Sequence, residues 1–184
     1  LPSRRSFNQA RLKLGDSYTI AMVDVDHFKK FNDTYGHESG DPALRMVASK
    51  LARIAGGGRA YRYCGEEFAI LFPGKPAEEA VTYLDRMRRH IEQSSFVVRG
   101  LDRRKNGRRR SIRGEKKETH VTVSIGVCAS SGERTAPEEI LRTADQALYR
   151  AKQKGRNCTV AARSSKPASS VRASNFGMRV VSVE

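Results

Sequence analysis

Four carboxylates stand in two short stretches of the chain. Asp24 and Asp26 close YTIAMVDVD (residues 18–26), and Glu66 and Glu67 sit inside YRYCGEEFAILFP (residues 61–73). Adjacent glutamates in a turn repel each other, and Glu is a poor turn former beside Asn or Asp. A bound cation would neutralise such a pair; a solvated acidic turn is the plainer alternative. Four hard oxygen donors suit Mg²⁺, which takes one or two carboxylates and leaves its other positions to water and substrate phosphates. Two such ions can clamp the attacking and leaving oxygens of an in-line phosphoryl displacement. Cations for those phosphates are available in Lys29, Lys152 and Arg156. Each has a bland counterpart. Lys152 and Arg156 could only complement a helix macrodipole, Asp41 could be only a helix N-cap, and Asn32 and His37 could be turn residues.

The elements that must position these groups follow from periodicity. Residues 18–26 form a nearly continuous apolar run ending in two acids, the pattern of a buried strand with Asp24 and Asp26 near its carboxyl end. Two residues apart, they share a face while strand geometry lasts. Residues 60–63 and 68–72 read as a hairpin joined by a turn with Gly65, Glu66 and Glu67. Residues 1–14 run from a linker into a short helix, residues 28–35 form a short helix or turn, and residues 36–40 form a loop. A helix is then expected to open with Asp41 as N-cap and Pro42 at its first position. Leu44, Val47, Ala48, Leu51 and Ile54 recur at helical spacing. Residues 76–91 are a second amphipathic helix and residues 95–98 a short strand, with residues 121–127 as its antiparallel counterpart. Thr135 and Glu138 fit a capping box opening the last helix, which Gly155 ends. Residues 157–160 are a closing strand, and residues 176–183 are a further element or a tail strand. Hairpins beside helical crossovers predict an α/β fold with a mixed, mainly antiparallel central sheet covered by helices.

The 184 residues suffice for one domain with a substantial core. Residues 1–162 are read as that domain and residues 163–184 as a flexible tail of Ser, Ala, Lys and Arg. No apolar run reaches the length of a membrane span, and no signal-peptide pattern opens the chain. It begins without Met, which predicts a piece of a longer protein with any anchor or sensory module upstream. Three cysteines without CxxC spacing predict neither a disulfide framework nor a zinc site, and suit a reducing cytoplasm. The net charge of +15 brings nucleic acid or an anionic membrane into view. Ten Lys/Arg against two acids between Arg99 and Lys117 supply about half of that excess, so the charge is a local feature. This basic insertion, near residues 99–118, reads as a solvated loop or as a polyanion-binding segment. It holds no aromatic residue for base stacking, which weighs against specific nucleic-acid binding.

In order, DVDHFKKFNDTYGHESGD (residues 24–41), RYCGEEFAILFP (residues 62–73), VTVSIGV (residues 121–127) and ADQALYRAKQKGRN (residues 144–157) resemble the successive blocks of a GGDEF domain, the diguanylate cyclase family. Residues 4–7 resemble the family's opening block, and the likeness runs from about residue 1 to residue 160. The resemblance implies a palm-like nucleotidyl cyclase fold and condensation of two GTP into cyclic di-GMP with release of two pyrophosphates. It implies Mg²⁺, or Mn²⁺ in its place, held by Asp24, the backbone carbonyl of Val25 and Glu66, with Glu67 assisting a second ion. By the same likeness Glu66 helps deprotonate the attacking 3′-hydroxyl and Lys29 stabilises transition-state charge. Asn32 and Asp41 bind guanine, His37 and Gly65 line the nucleotide pocket, and Lys152 and Arg156 hold phosphates. Each subunit takes one GTP, so activity requires a homodimer. The wider expectation is a signal-transduction output domain in the cytoplasm, joined to an upstream sensory or regulatory domain that could anchor it at the inner membrane.

Two positions depart from the family pattern. Cys64 replaces the first motif glycine, where glycine permits positive φ or close approach to a ligand. Activity is expected to survive at a lowered level, with Cys64 either tolerated at the strand end or acting as a thiol that makes activity redox-sensitive. The family's product-inhibition motif, RxxD, would begin at position 55, where this chain reads Ala-Gly-Gly-Gly; no inhibition through that site is expected. Two rival readings stand beside the cyclase: an idle GTP-binding regulatory domain, favoured by Cys64, and a basic nucleic-acid-binding module.

Overall fold

A computed structural model describes residues 1–99, 116–130 and 136–162. The element order is α1 (Arg4–Arg11), β1 (Tyr18–Val25), α2 (Phe28–Tyr35), α3 (His37–Leu51), β2 (Arg59–Cys64), β3 (Glu67–Pro73), α4 (Ala77–Glu92), β4 (Ser95–Arg99), β5 (Lys116–His120), β6 (Val123–Ala129), α5 (Pro137–Gln153) and β7 (Thr159–Ala161). Five strands form the central sheet in the order β2-β3-β1-β6-β7, all neighbours antiparallel except the parallel pair β6–β7. β1 is buried at every position, as its unbroken apolar run requires for a strand covered on both faces.

Alternation along β1 divides the core in two. Ala21, Val23 and Val25 face Phe28, Phe31, Leu44, Val47, Leu51, Leu84 and Ile91 of α2, α3 and α4. Ile20 and Met22 face Phe7 of α1 and Ile140, Ala144 and Leu148 of α5. Asp24 continues the second series, and its register partner on β3 is Glu67. Directly opposed residues of an antiparallel pair share a face, so both carboxylates lie on the α5 side of the sheet. α5 approaches very closely there. A Cβ at Gly126 would stand 2.0 Å from the Leu148 nitrogen and 2.2 Å from the Ala144 carbonyl oxygen.

The expected mixed, mainly antiparallel sheet covered by helices is found, and several local expectations are corrected. α3 starts at His37, not after Asp41, so residues 37–40 are its first turn and Pro42 lies inside the helix. Gly36, at φ 83° and ψ 154°, makes the break from α2 that Asp41 was expected to make. Near a helix N-terminus, Pro42 forgoes a single ladder bond to the exposed Glu38, which solvent can replace. The antiparallel partner of residues 95–98 is β5, in a separate two-stranded sheet, whereas residues 123–129 join the central sheet. The polar sequence KKETH concealed that strand, because an edge strand outside the core carries no apolar alternation. Residue 135 lies outside the described residues; the N-cap of α5 is Ala136, and Glu138 pairs with Arg11 at 3.0 Å instead of reaching back. Most of the basic insertion and the whole of residues 163–184 also lie outside the described residues.

Candidate active site

The carboxyl end of β1 meets the β2–β3 turn. The Val25 N–H donates to the Glu66 carbonyl at 3.3 Å, which ties that turn to the backbone beside Asp24. The turn is shaped by its glycine and by a bulge. Gly65 takes φ 44°, the left-handed region that glycine enters freely. The β2–β3 register slips between Arg62 and Cys64, and bulges of this kind re-aim side chains beside functional sites. Arg62 then holds the turn with two donors to the Gly65 carbonyl, Nε at 3.1 Å and Nη2 at 2.7 Å. Cys64 is exposed at the end of β2 and is not among the positive-φ residues, so the position that glycine takes in the family pattern needs no glycine torsion here.

Asp24 is only 6% exposed. Burial raises its carboxyl pKa above the ordinary value, an effect opposed by the Lys152 ammonium and reinforced by Asp26. Lys152 Nζ stands 2.8 Å from Asp24 Oδ2, so this lysine meets a carboxylate, the role that a divalent cation would otherwise fill. Burial likewise raises Glu66 and Glu67, and in both the Asp24 charge is the next cause. Three acids held towards the neutral form, chiefly by burial and in the glutamates also by the Asp24 charge, make a cation-seeking site. Among the described residues no three His, Cys, Asp or Glu side chains are gathered closely enough to enclose a metal ion. Asp24, Glu66 and the Val25 carbonyl are a smaller donor set, and two carboxylates with water and phosphates are what Mg²⁺ requires. The residues fit the ion.

Asp26 does not join this set. Its Oδ2 accepts from Thr122 Oγ1 at 2.7 Å and from the Asn157 N–H at 3.0 Å, and its Oδ1 accepts from Ser124 Oγ at 2.6 Å. Those donors occupy the oxygens that the sequence left open for metal.

The α2–α3 corner carries the other candidate residues. Asn32 lies on α2, while His37 and Asp41 are exposed in the first turns of α3. The Asn32 Oδ1 atom is buried without a hydrogen-bond partner. Gly40 makes room for it, since a Cβ there would stand 2.3 Å away. A buried amide oxygen without a donor is expensive unless a ligand supplies one, and the N–H edge of a purine would do so. Lys29 is exposed on α2.

Arg156 follows α5 in a turn of three consecutive left-handed residues: Gly155 at φ 105°, Arg156 at 65° and Asn157 at 44°. Gly155 fulfils its expected role past the helix end. For a residue such as Arg this conformation costs roughly 1–2 kcal/mol, so its surroundings must hold it. Sequence reading placed Asn157 at a strand start and missed its work as a polar junction. Asn157 Oδ1 accepts from Arg88 Nη1 at 2.7 Å, and Asn157 Nδ2 donates to Glu92 Oε1 at 2.7 Å. An Asn two residues past a helix-ending Gly is the available signal, because Asn tolerates αL better than most residues.

The family profile described as "Diguanylate cyclase, GGDEF domain" matches residues 3–158. The response regulator PleD of Caulobacter vibrioides is 38% identical over 147 residues, which cover 79% of this chain and 29% of PleD. Among solved structures, the GGDEF domain of DgcB from Caulobacter crescentus in complex with c-di-GMP superposes with a TM-score of 0.66 at 34% identity, covering 88% of this chain and 84% of that one. The active GGEEF domain of a diguanylate cyclase from Vibrio cholerae gives a TM-score of 0.67 at 26% identity, covering 90% and 99%. With the profile spanning most of its length, the chain belongs to the GGDEF family of diguanylate cyclase domains.

Proposed function

We propose that this domain is an active diguanylate cyclase half-site, joining two GTP molecules into cyclic di-GMP across a homodimer with one GTP per subunit. The observation that carries the proposal is the meeting of buried Asp24 with the Glu66–Glu67 turn, under the ammonium of Lys152. Relatives that are named diguanylate cyclases support the same reading.

In this scheme Asn32 and Asp41 hold guanine, with His37 beside the nucleotide. Gly65 leaves open space at the turn, since nothing lies within 4 Å of a Cβ built there, and the nucleotide can approach the backbone. Asp24, the Val25 carbonyl and Glu66 would hold Mg²⁺ or Mn²⁺, with Glu67 at a second ion. When bound, the metal supplies charge neutralisation for the triphosphate and its leaving group. The 3′-oxygen of one GTP forms a bond to the α-phosphorus of the other, and the bond from that phosphorus to the departing pyrophosphate breaks. Glu66 takes the hydroxyl proton as the general base. The same exchange in the opposite sense closes the ring and releases the second pyrophosphate. With a metal held at Asp24, Lys152 would be free to join Arg156 on the phosphates, and Lys29 faces the charge that develops in the transition state. Positioning and charge neutralisation are the main contributions a protein makes to phosphoryl transfer.

No helix among the described residues is long and apolar enough to cross a membrane. The chain spans about a third or less of the first relatives, and in this proposal it works as the cytoplasmic output domain of a longer protein under an attached regulatory segment. The test is mass-spectrometric detection of cyclic di-GMP after incubation with GTP and Mg²⁺. Wild type should form it and Glu66→Gln should lose it while still binding GTP. GTP bound without product from wild type would favour the idle regulatory domain.

A further inference from the structure

The turn that carries Arg156 is fixed by contacts that the reaction scheme does not use. Its backbone is anchored at both ends: the Arg156 N–H donates to the Ala151 carbonyl at 3.1 Å, and the Asn157 N–H donates to Asp26 Oδ2 at 3.0 Å. Asp26 is itself held by Thr122 and Ser124 at the start of β6. From Asn157 the network continues outward to α4. Arg88 Nη1 donates to Asn157 Oδ1 and pairs with Glu92 Oε2 at 3.1 Å, while Glu92 Oε1 accepts from Asn157 Nδ2. Arg88 Nε also pairs with Asp85 at 3.1 Å, and Asp85 accepts from Thr159 Oγ1 on β7 at 3.3 Å. Arg88 is 11% exposed at its side chain, while its partners Asp85 and Glu92 keep 32% and 41%, so the guanidinium is covered and the acids reach solvent.

A left-handed Arg followed by a left-handed Asn persists only where neighbours over-determine it. Here the over-determining residue is Asn157, whose main chain is bound on one side and whose amide is bound on the other. Arg156 stands in the turn directly after α5, the helix whose Lys152 reaches Asp24 at 2.8 Å, so the direction of this one turn decides where a phosphate-holding cation stands.

We propose that Asn157 is a positioning residue for Arg156: clamped between Asp26 and the Arg88–Glu92 pair of α4, it holds the turn that presents the guanidinium to the triphosphate. Nucleotide affinity is thereby tied to the seating of α4. The inference rests on the assignment of Arg156 to phosphate, so its test reads GTP binding directly and product formation separately.

Equilibrium binding of GTP with Mg²⁺ is measured for wild type, Asn157→Ala, Arg156→Ala and the double variant. Asn157→Ala should weaken binding about tenfold, the scale of one charge-assisted hydrogen bond. In steady state it should raise KM by a similar factor with kcat within about twofold, the pattern of lost uniform binding. In the Arg156→Ala background the same change should add less than about twofold, since the two act as a unit. Asn157→Gly keeps access to the left-handed region and removes the side chain with its amide, so it serves where the alanine variant folds poorly, and it should weaken binding likewise. Unchanged affinity in a folded variant, or a full additional loss in the Arg156→Ala background, overturns the proposal. Wild type that binds GTP without making product overturns the enzyme reading alone, and the affinities still decide the role of Asn157. Wild type that binds no GTP overturns both.

Discussion

Gly40→Ala separates nucleotide recognition from folding. The added Cβ would lie 2.3 Å from Asn32 Oδ1, 3.0 Å from Phe28 Cζ and 3.3 Å from Asn32 Cγ. A carbon and an oxygen without a bond between them rest at about 3.3 Å, so Oδ1 must retreat by about 1 Å. Phe28 is buried beside Phe31, with ring centroids 6.2 Å apart, and has little room. The Asn32 amide, at the end of a partly exposed side chain, is the group that yields. Two stability effects then oppose each other. Replacing a helical glycine by alanine stabilises by about 0.5–1 kcal/mol, and a displaced rotamer costs about 0.5–1.5 kcal/mol. They nearly cancel, and with about 2–4 °C per kcal/mol for a chain of this size the thermal midpoint should move by no more than about 4 °C. Recognition has no such compensation. On the proposed guanine contact, a misplaced amide would lose that bond and leave a polar group unpaired, a penalty of about 1–3 kcal/mol, or about 5- to 150-fold in GTP affinity. Preference for GTP over ATP should fall with it, because a site built to hydrogen-bond one base rejects the other through unpaired groups. The assay is competition of the two nucleotides for the protein with Mg²⁺, beside a thermal melt. Retained GTP affinity and preference in a folded variant would refute the role given to Asn32.

Gly126→Ala should act on stability first. Its Cβ would meet the Leu148 nitrogen at 2.0 Å, the Ala144 carbonyl oxygen at 2.2 Å and Leu148 Cα at 2.6 Å. All three are helix backbone and cannot rotate aside, so α5 must lift, at a cost at or above the upper end of the roughly 1–3 kcal/mol typical of overpacking. The melt should drop by about 6 °C or more, and product formation should fall with it because Lys152 follows Leu148 by one turn; an unchanged midpoint would contradict the packing described. Acid should weaken divalent-cation binding at the proposed site early. The carboxyls of Asp24, Glu66 and Glu67 are raised chiefly by burial. Groups raised on folding favour the folded state below their unfolded pKa, and that contribution is lost as pH rises through the raised value. The metal-free protein therefore carries an electrostatic penalty at neutral pH that a divalent cation removes. Mg²⁺ should raise the thermal midpoint more at about pH 7.5 than at about pH 5; equal shifts at the two would show that these acids are not its ligands.

Asp24 and Asp26 show where sequence reading succeeds and where it stops. Their position at the carboxyl end of a buried strand was legible from the apolar run, and so was the hairpin that brings Glu66 and Glu67 alongside, because both are signals within a few residues. The division of labour between the two aspartates was not. It depends on donors 96, 98 and 131 positions away, at Thr122, Ser124 and Asn157, and periodicity within a window holds no information about them. The same limit explains the glycines. Gly65 announces its turn locally, whereas Gly40 reads as the end of a loop and Gly126 as one small residue of a strand until Asn32 and the α5 backbone are set against them. Asp41-Pro42 failed differently: a sound local capping signal was overridden when Gly36 broke the chain five residues earlier and let α3 begin there. In each case the residue type was readable and its partner was not. That asymmetry is expected of a site assembled from one strand end, one hairpin tip and one helix-terminal turn, since the chain brings them together only by folding.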